Sequence, residues 1–305
     1  MLAAVSHGPD DVPVTPRVPT DLLEIVDALL PGAPLRAARL APTGNVHDVV
    51  LVPGLAAVRI ARRPSGARLM PARMAALRAV ASAGLPFAVP EPITPVTTFG
   101  ERTAVAVSWL DGAALPEGHG DPVRIRDLLA ALREAPLSPE LRAALEGQHD
   151  GPAQRHWAEI LAEDVLPRLP PRWQDDGRRR LDEAMALDPV PDALVHADLG
   201  AGNVHWDATG GLVGVLDWDL ALPGDPAVDA ACMAWHGWDN VRRAVDAETY
   251  ERARVWDRLF GVEHLVAVLP GRPLAGPDSY VEHVVAWLER DAAGRPAAGR
   301  LSEPC

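Results

Sequence analysis

Residues 194 to 219 read Leu-Val-His196-Ala197-Asp198-Leu-Gly-Ala-Gly-Asn203-Val-His205-Trp-Asp207, then Ala-Thr-Gly-Gly-Leu-Val-Gly-Val-Leu-Asp217-Trp-Asp219. Carboxylates, an amide and imidazoles are gathered here around what reads as one strand-turn-strand unit. Asp198, Asn203 and Asp217 carry hard oxygen donors, the kind magnesium takes alongside water and phosphate oxygens. Phosphoryl transfer needs such a set: a carboxylate to orient the attacking hydroxyl and accept its proton, and oxygen ligands for a metal that bridges the phosphates. A rival chemistry comes from the same stretch, because His196-Ala-Asp198 and His205-Trp-Asp207 form two H-x-D pairs that could ligate a hydrolytic metal. Residues two apart share a strand face, so His205 and Asp207 could sit together. No third block of His or Asp supplies the remaining ligands, and that chemistry leaves Asp217 without a role.

The spacing H-x-D-L-x-x-x-N, with a later aspartate in the place of the D-F-G aspartate, is the catalytic-loop pattern of protein-kinase-like folds. With V-H-A-D-L-G-A-G-N-V, G-V-L-D-W-D and G-D-P-A-V-D at 224 to 229, the chain resembles the aminoglycoside phosphotransferase family. The resemblance implies that Asp198 is the catalytic base, that His196 belongs to the same catalytic loop, and that Asn203 and Asp217 are ligands for Mg2+. The expected donor is ATP or GTP. Packing and hydrogen bonding are the main expectation for His196, and Asp229 is expected to brace the loop rather than touch substrate. Asp225 suits an N-terminal helix cap. Ala197 stands where family members usually have glycine. Asp219, two residues past the metal ligand, is the best of several acidic candidates for facing a cationic substrate. Asp239, Glu282 and Glu289 are the others, and a solvated helix face accounts better for the last two.

The chain has 305 residues, 48% of them hydrophobic and 23% charged, which suits a soluble globular protein with two lobes. A formal net charge of −13 argues against nucleic acid, whose binding rests on basic patches, and suits a cationic or amphipathic small-molecule substrate. Cys232 and Cys305 suggest neither a disulfide framework nor a metal cluster. No basic start with an apolar run marks a signal peptide, and no stretch of about 18 apolar residues could span a bilayer. The expectation is a cytoplasmic protein without a membrane partner; the oligomeric state stays open.

The N-terminal half reads as a nucleotide cradle. A helical pattern over residues 21–30 stops at Pro31-Gly32, and three strands are expected over 35–40, 47–52 and 55–61. In the third, Ala56-Ala57-Val58-Arg59 occupies the register of the V-A-I-K motif. Ala57 would leave room for adenine and Arg59 would reach the phosphates. Arginine has to serve, because all 29 basic side chains are arginine and the chain has no lysine. Gly44 and Asn45 sit where the family has its loop over the phosphates, although the loop is poor in glycine. A helix is expected over 67–83, with Arg73 near the position where kinase-like proteins carry the glutamate that pairs with the phosphate-binding cation. Residues 49–90 contain no Asp or Glu, a departure from the family pattern. Leu85-Pro-Phe-Ala-Val-Pro90 is similar to macrolide phosphotransferases, and Arg68-Leu-Met-Pro-Ala-Arg73 looks like the glutamate-free version in viomycin-type enzymes. Thr103 to Leu110 reads as a strand. Ser108, Trp109 and Leu110, in a W-L-D-G connection, would offer backbone groups to the adenine edge.

The expected architecture is α+β, a two-lobed protein-kinase-like fold. A nucleotide-binding lobe over 1–108, with a small antiparallel sheet plus a helix, leads through a hinge at 109–112 to a larger, mainly helical catalytic and substrate-binding lobe over 113–305. Helices are expected there over 123–134, 139–146, 155–169, 175–187, 226–235, 247–268 and 277–291. The expected activity is transfer of a phosphate to a hydroxyl of an antibiotic, whether aminoglycoside, macrolide or cyclic peptide. The alternatives are a small-alcohol kinase of metabolism and a non-catalytic relic that sequesters a ligand.

Overall fold

The computed structural model describes residues 17–41, 46–149, 157–268 and 277–292. The chain divides into two compact units, residues 1–67 with 93–109 and residues 68–92 with 110–305. The expected lobe boundary at 108 lies beside the break after Trp109, whereas residues 68–92 belong with the larger unit.

In the smaller unit, helix α1 (Thr20–Leu29) precedes β1 (Arg39–Leu40), β2 (His47–Val52) and β3 (Ala56–Ala61), and later β4 (Thr97–Phe99) and β5 (Arg102–Ser108). They form one antiparallel sheet in the order β1-β2-β3-β5-β4. Period-two alternation decides which face is core. Ala56, Val58 and Ile60 are fully buried, and with Val50, Val52, Ala104 and Ala106 they pack on Leu22, Ile25 and Val26 of α1. The hairpin between β2 and β3 turns on Gly54, whose φ of +74° lies in the left-handed region open to glycine. The strand expected over 35–40 is instead a 3-10 turn, Leu35–Ala37, followed by the two residues of β1. Leu-Arg-Ala-Ala-Arg has neither β-branched residues nor alternation to hold it extended, and the Ala37 N–H bonds back to Pro34 at 2.9 Å. Gly44 and Asn45 lie outside the described residues.

The larger unit holds the part of α2 (Pro64–Ala81) beyond Ala67, then α3 (Pro122–Glu134), α4 (Pro139–Gly147), α5 (Trp157–Ile160), α6 (Pro171–Met185), α7 (Ala227–Cys232), α8 (Trp238–Ala244), α9 (Ala247–Glu263) and α10 (Pro277–Ala292). Side-chain caps open several of them: Asp121 accepts from the Val123 N–H at 2.7 Å, Ser138 from Leu141 at 3.2 Å and Asp246 from Thr249 at 2.8 Å. The helix expected over 155–169 breaks after α5 into a π-type turn, Leu161–Val165, and a 3-10 turn, Leu166–Arg168. Pro167 lacks the N–H that an α-helix needs there. α8 was not expected from the sequence; it is short and starts directly after Gly237, at φ +93°. Leu161, Leu169, Leu181, Leu259, Val284 and Trp287 lie in the main core. Trp206 and Trp218 are buried, as expected of core aromatics. Among the described residues, no helix is long and apolar enough to cross a membrane.

Candidate active site

Two strand pairs in the larger unit shape the motif segment. β6 (Ala193–Val195) pairs with β9 (Leu222–Gly224), and within that span β7 (Val204–Trp206) pairs with β8 (Leu212–Val215). The loops joining β6 to β7 and β8 to β9 therefore leave neighbouring strand ends. The Leu216 N–H donates to the Asn203 carbonyl at 2.7 Å. The Asn203 side-chain Nδ2 donates to Asp198 twice, to its carbonyl at 2.9 Å and to its Oδ2 at 3.0 Å. Asp198 and Asn203 are thus in direct contact, and Asp217 follows the residue bonded to Asn203. Asp217 is exposed, while Asp198 and Asn203 are half-buried.

β8 is held on its other side by the segment after α2. Ala88 donates to the Val213 carbonyl and accepts from the Val215 N–H, both at 3.0 Å. Gly214 permits this approach, because a Cβ there would stand 2.5 Å from the Ala88 oxygen. The β7–β8 turn is closed by Asp207, whose Oδ1 accepts from the Thr209 N–H, the Thr209 hydroxyl and the Gly211 N–H at 2.7–2.8 Å. Those bonds, led by the one from the Thr209 hydroxyl, hold its carboxyl below the ordinary range. His205 meets the Asp111 carbonyl through Nδ1 at 3.0 Å. The hydrolytic-metal chemistry weighed from the two H-x-D pairs therefore fails: Asp207 closes a turn, and no group of three or more His, Cys, Asp or Glu among the described residues could hold a metal ion.

His196, grouped with Asp198 by spacing, is fully buried and acts on the backbone. Its Nε2 donates to the Leu216 carbonyl at 2.8 Å and its Nδ1 accepts from the Asp198 N–H at 3.1 Å, the tautomer these partners require. The ring meets Trp218 edge-on at 4.6 Å between centroids. One imidazole thus ties the Asp198 loop to the residue before Asp217, which makes it a positioning residue. Asp229, on α7, accepts from the N–H groups of His196 at 2.9 Å and Ala197 at 2.8 Å, the brace the resemblance implied. Asp225 caps α7 through the Ala227 N–H at 2.9 Å and also receives Arg252 at 2.6 Å and Trp256 Nε1 at 2.9 Å, both from α9. Ala197, at φ +63°, occupies the left-handed conformation for which glycine is the usual choice. Asp217 is left-handed too, at φ +54°. Such a conformation costs a residue with a Cβ about 1–2 kcal/mol and persists where the surroundings over-determine it. The bracing on both sides of these residues provides that.

Sequence reading missed Gln148. It is buried just after α4, and its Nε2 donates to the Ala221 carbonyl at 2.7 Å and the Trp218 carbonyl at 3.2 Å, supporting the turn that follows Asp217. Asp219, expected to face substrate, accepts from Arg73 Nη1 of α2 at 2.7 Å, with the two side chains 13% and 12% exposed. Glu289 pairs with Arg172 on an exposed face, in keeping with the solvated-face account. In the smaller unit, Ala57 and Arg59 lie opposite Val107 and Val105 of β5, on the sheet face away from the α1 core. Arg59 Nη2 is 3.2 Å from His47 Nδ1. Ser108, Trp109 and Leu110 are half-buried where β5 ends.

Comparison with known proteins gives concordant results. Viomycin phosphotransferase of Streptomyces vinaceus is 33% identical over 227 residues, covering 69% of this chain and 77% of the relative. The GDP complex of aminoglycoside 2'-phosphotransferase-IIIa superposes with a TM-score of 0.71 at 16% identity, covering 90% of this chain and 98% of that one. Macrolide 2'-phosphotransferase type I gives 0.64 at 21% identity over 90% and 98% of the two chains. The α+β, kinase-like fold expected from the sequence is therefore the fold of this protein. The match of residues 39–261 to the model of the phosphotransferase enzyme family, together with the viomycin phosphotransferase relationship, makes the chain a member of that family.

Proposed function

We propose that the protein transfers the terminal phosphate of ATP or GTP to a hydroxyl of a small-molecule antibiotic, with a cationic cyclic peptide as the favoured acceptor. The observation that supports this reading is the contact of Asp198 with Asn203, together with the backbone bond to Asn203 from Leu216, the residue before Asp217. The viomycin phosphotransferase relationship favours the acceptor class, and a net charge of −13 suits a cationic one.

The half-buried carboxylate of Asp198 orients the acceptor hydroxyl and takes its proton. The Asn203 amide, donating to Oδ2 at 3.0 Å, steadies that side chain. Asp217 and the Asn203 amide oxygen are hard donors of the type magnesium prefers, so the donor set fits that ion. Magnesium held there would supply charge neutralisation at the phosphate oxygens. On the smaller unit, Arg59 supplies phosphate-binding charge in place of lysine, Ala57 leaves room for the base, and the backbone of Ser108 to Leu110 pairs with it. Rate enhancement then comes mostly from positioning and preorganised charge. The reaction belongs to the cytoplasm, where nucleotide and magnesium are at hand.

The test is release of nucleoside diphosphate across aminoglycosides, macrolides, cyclic peptides and small alcohols, with native protein and Asp198→Ala. Turnover is expected with a cyclic peptide, and its loss in the variant with nucleotide affinity near the native value. An active Asp198→Ala protein would refute the assignment of the base. Nucleotide binding without turnover on any acceptor would favour a ligand-binding relic.

A further inference from the structure

Resting on the metal reading above, we propose that Arg73 is a positioning residue for the magnesium-binding loop, acting through Asp219. Residues 49–90 contain no carboxylate, so α2 cannot offer an acidic partner to Arg59. It offers a cation, Arg73, within the larger unit. Arg73 Nη1 reaches Asp219 Oδ2 at 2.7 Å across 146 positions of sequence.

Asp219 lies in the 3-10 turn Trp218–Leu220, whose N-terminal flank is Asp217 in the left-handed conformation. That conformation has to be imposed from both ends. On one side, Leu216 is tied by its N–H to Asn203 and by its carbonyl to His196. On the other, Trp218 is fixed by Nε1 bonding to the Val215 carbonyl at 2.9 Å and by Gln148. Arg73 completes this side by holding Asp219. The pair is more enclosed than surface pairs such as Arg142–Asp192, whose side chains are 39% and 46% exposed, so it is screened less and restrains more.

Charge gives the pair a second effect. Unpaired, Asp219 would be a second carboxylate two residues from the Asp217 ligand and would compete for the ion; unpaired, Arg73 would compete with the ion for Asp217. Pairing removes both. Only one Arg73 nitrogen bonds to Asp219, and its Nε is buried without a hydrogen-bond partner among the described residues. A lysine should therefore keep most of the function, because the bond does not use the guanidinium fork.

The experiment titrates Mg2+ into full-length protein with saturating ADP and follows the thermal midpoint, a readout independent of turnover. Native protein, Arg73→Met, Arg73→Lys, Asp219→Asn and the reversed pair Arg73→Asp with Asp219→Arg are compared, with Asp217→Asn as control. Outer-shell partners of metal ligands typically contribute about 10–100-fold to metal affinity. Arg73→Met and Asp219→Asn are each expected to raise the Mg2+ concentration at half-effect by about tenfold, while Arg73→Lys stays near native and the reversed pair recovers part of the loss. Should Arg73→Met fail to fold, the isosteric Asp219→Asn decides. A native-like Mg2+ midpoint in Asp219→Asn overturns the role of Arg73 and leaves the metal reading intact. Absence of any Mg2+ response in native protein sinks the metal reading, and this proposal with it.

Discussion

Replacing Asp229 by alanine is the most direct probe of how the loop that carries Asp198 is held. The carboxylate is 1% exposed, and its two oxygens accept from the N–H groups of His196 and Ala197, residues that are 0% and 6% exposed. Truncation strands two buried donors, each costing about 1–3 kcal/mol, and removes a pair of charge-assisted bonds, for a combined loss of about 3–5 kcal/mol. That is a large part of the 5–15 kcal/mol typical of a folded protein. It corresponds to a thermal midpoint lower by roughly 6–20 °C for a unit of this size. Asp229→Asn keeps one accepting oxygen and turns an amide donor on the other N–H, so it should lose about 2–3 kcal/mol. Asp198 lies one residue beyond the second braced N–H, and a displacement near 1 Å costs about 100-fold in rate. Urea unfolding followed by tryptophan fluorescence measures the first effect, and turnover per folded molecule at low temperature measures the second. A loss below about 1 kcal/mol with unchanged turnover would show that Asp229 does not hold the loop.

Further outcomes follow from the larger unit. Gly261→Ala in α9 should destabilise by about 1–3 kcal/mol through overpacking, although alanine has the better helix propensity, because a Cβ there would fall among the ring atoms of buried Trp287; a higher thermal midpoint would contradict this. Asp257, 2% exposed in α9, has its carboxyl pushed by burial from 3.8 up to about 7, with Asp291 adding to the rise and Arg254, Arg258 and Arg180 opposing it. The native state then holds a proton the unfolded chain has released, so stability should fall as pH rises from about 4 to 7 and level off above, by at most about 4 kcal/mol. Asp257→Asn should lack that fall, and urea midpoints between pH 5 and 8 that track the native protein would count against it.

Strand and helix placement in much of the chain follows from local chemistry. β2 and β3 are written in the alternation of Val, Ala and Ile, and the motif segment was legible because its strand pairs lie within residues 193–224. Spacing could also associate Asp198, Asn203 and Asp217, since a hairpin with a short turn leaves few ways to arrange them. Tertiary packing decided which side chains serve those three. His196, expected mainly to pack and hydrogen-bond within its loop, ties two backbone segments, and its partner Leu216 lies 20 positions away. Gln148 carried no local signal, because its partners lie 70 and 73 positions away. Asp219 reads as a substrate-facing acid, and nothing near it in sequence points to its partner Arg73, 146 positions away on α2. Periodicity and motif spacing report on neighbours along the chain; the partner of a charged side chain is set by which elements pack together, and no short stretch of sequence contains that information.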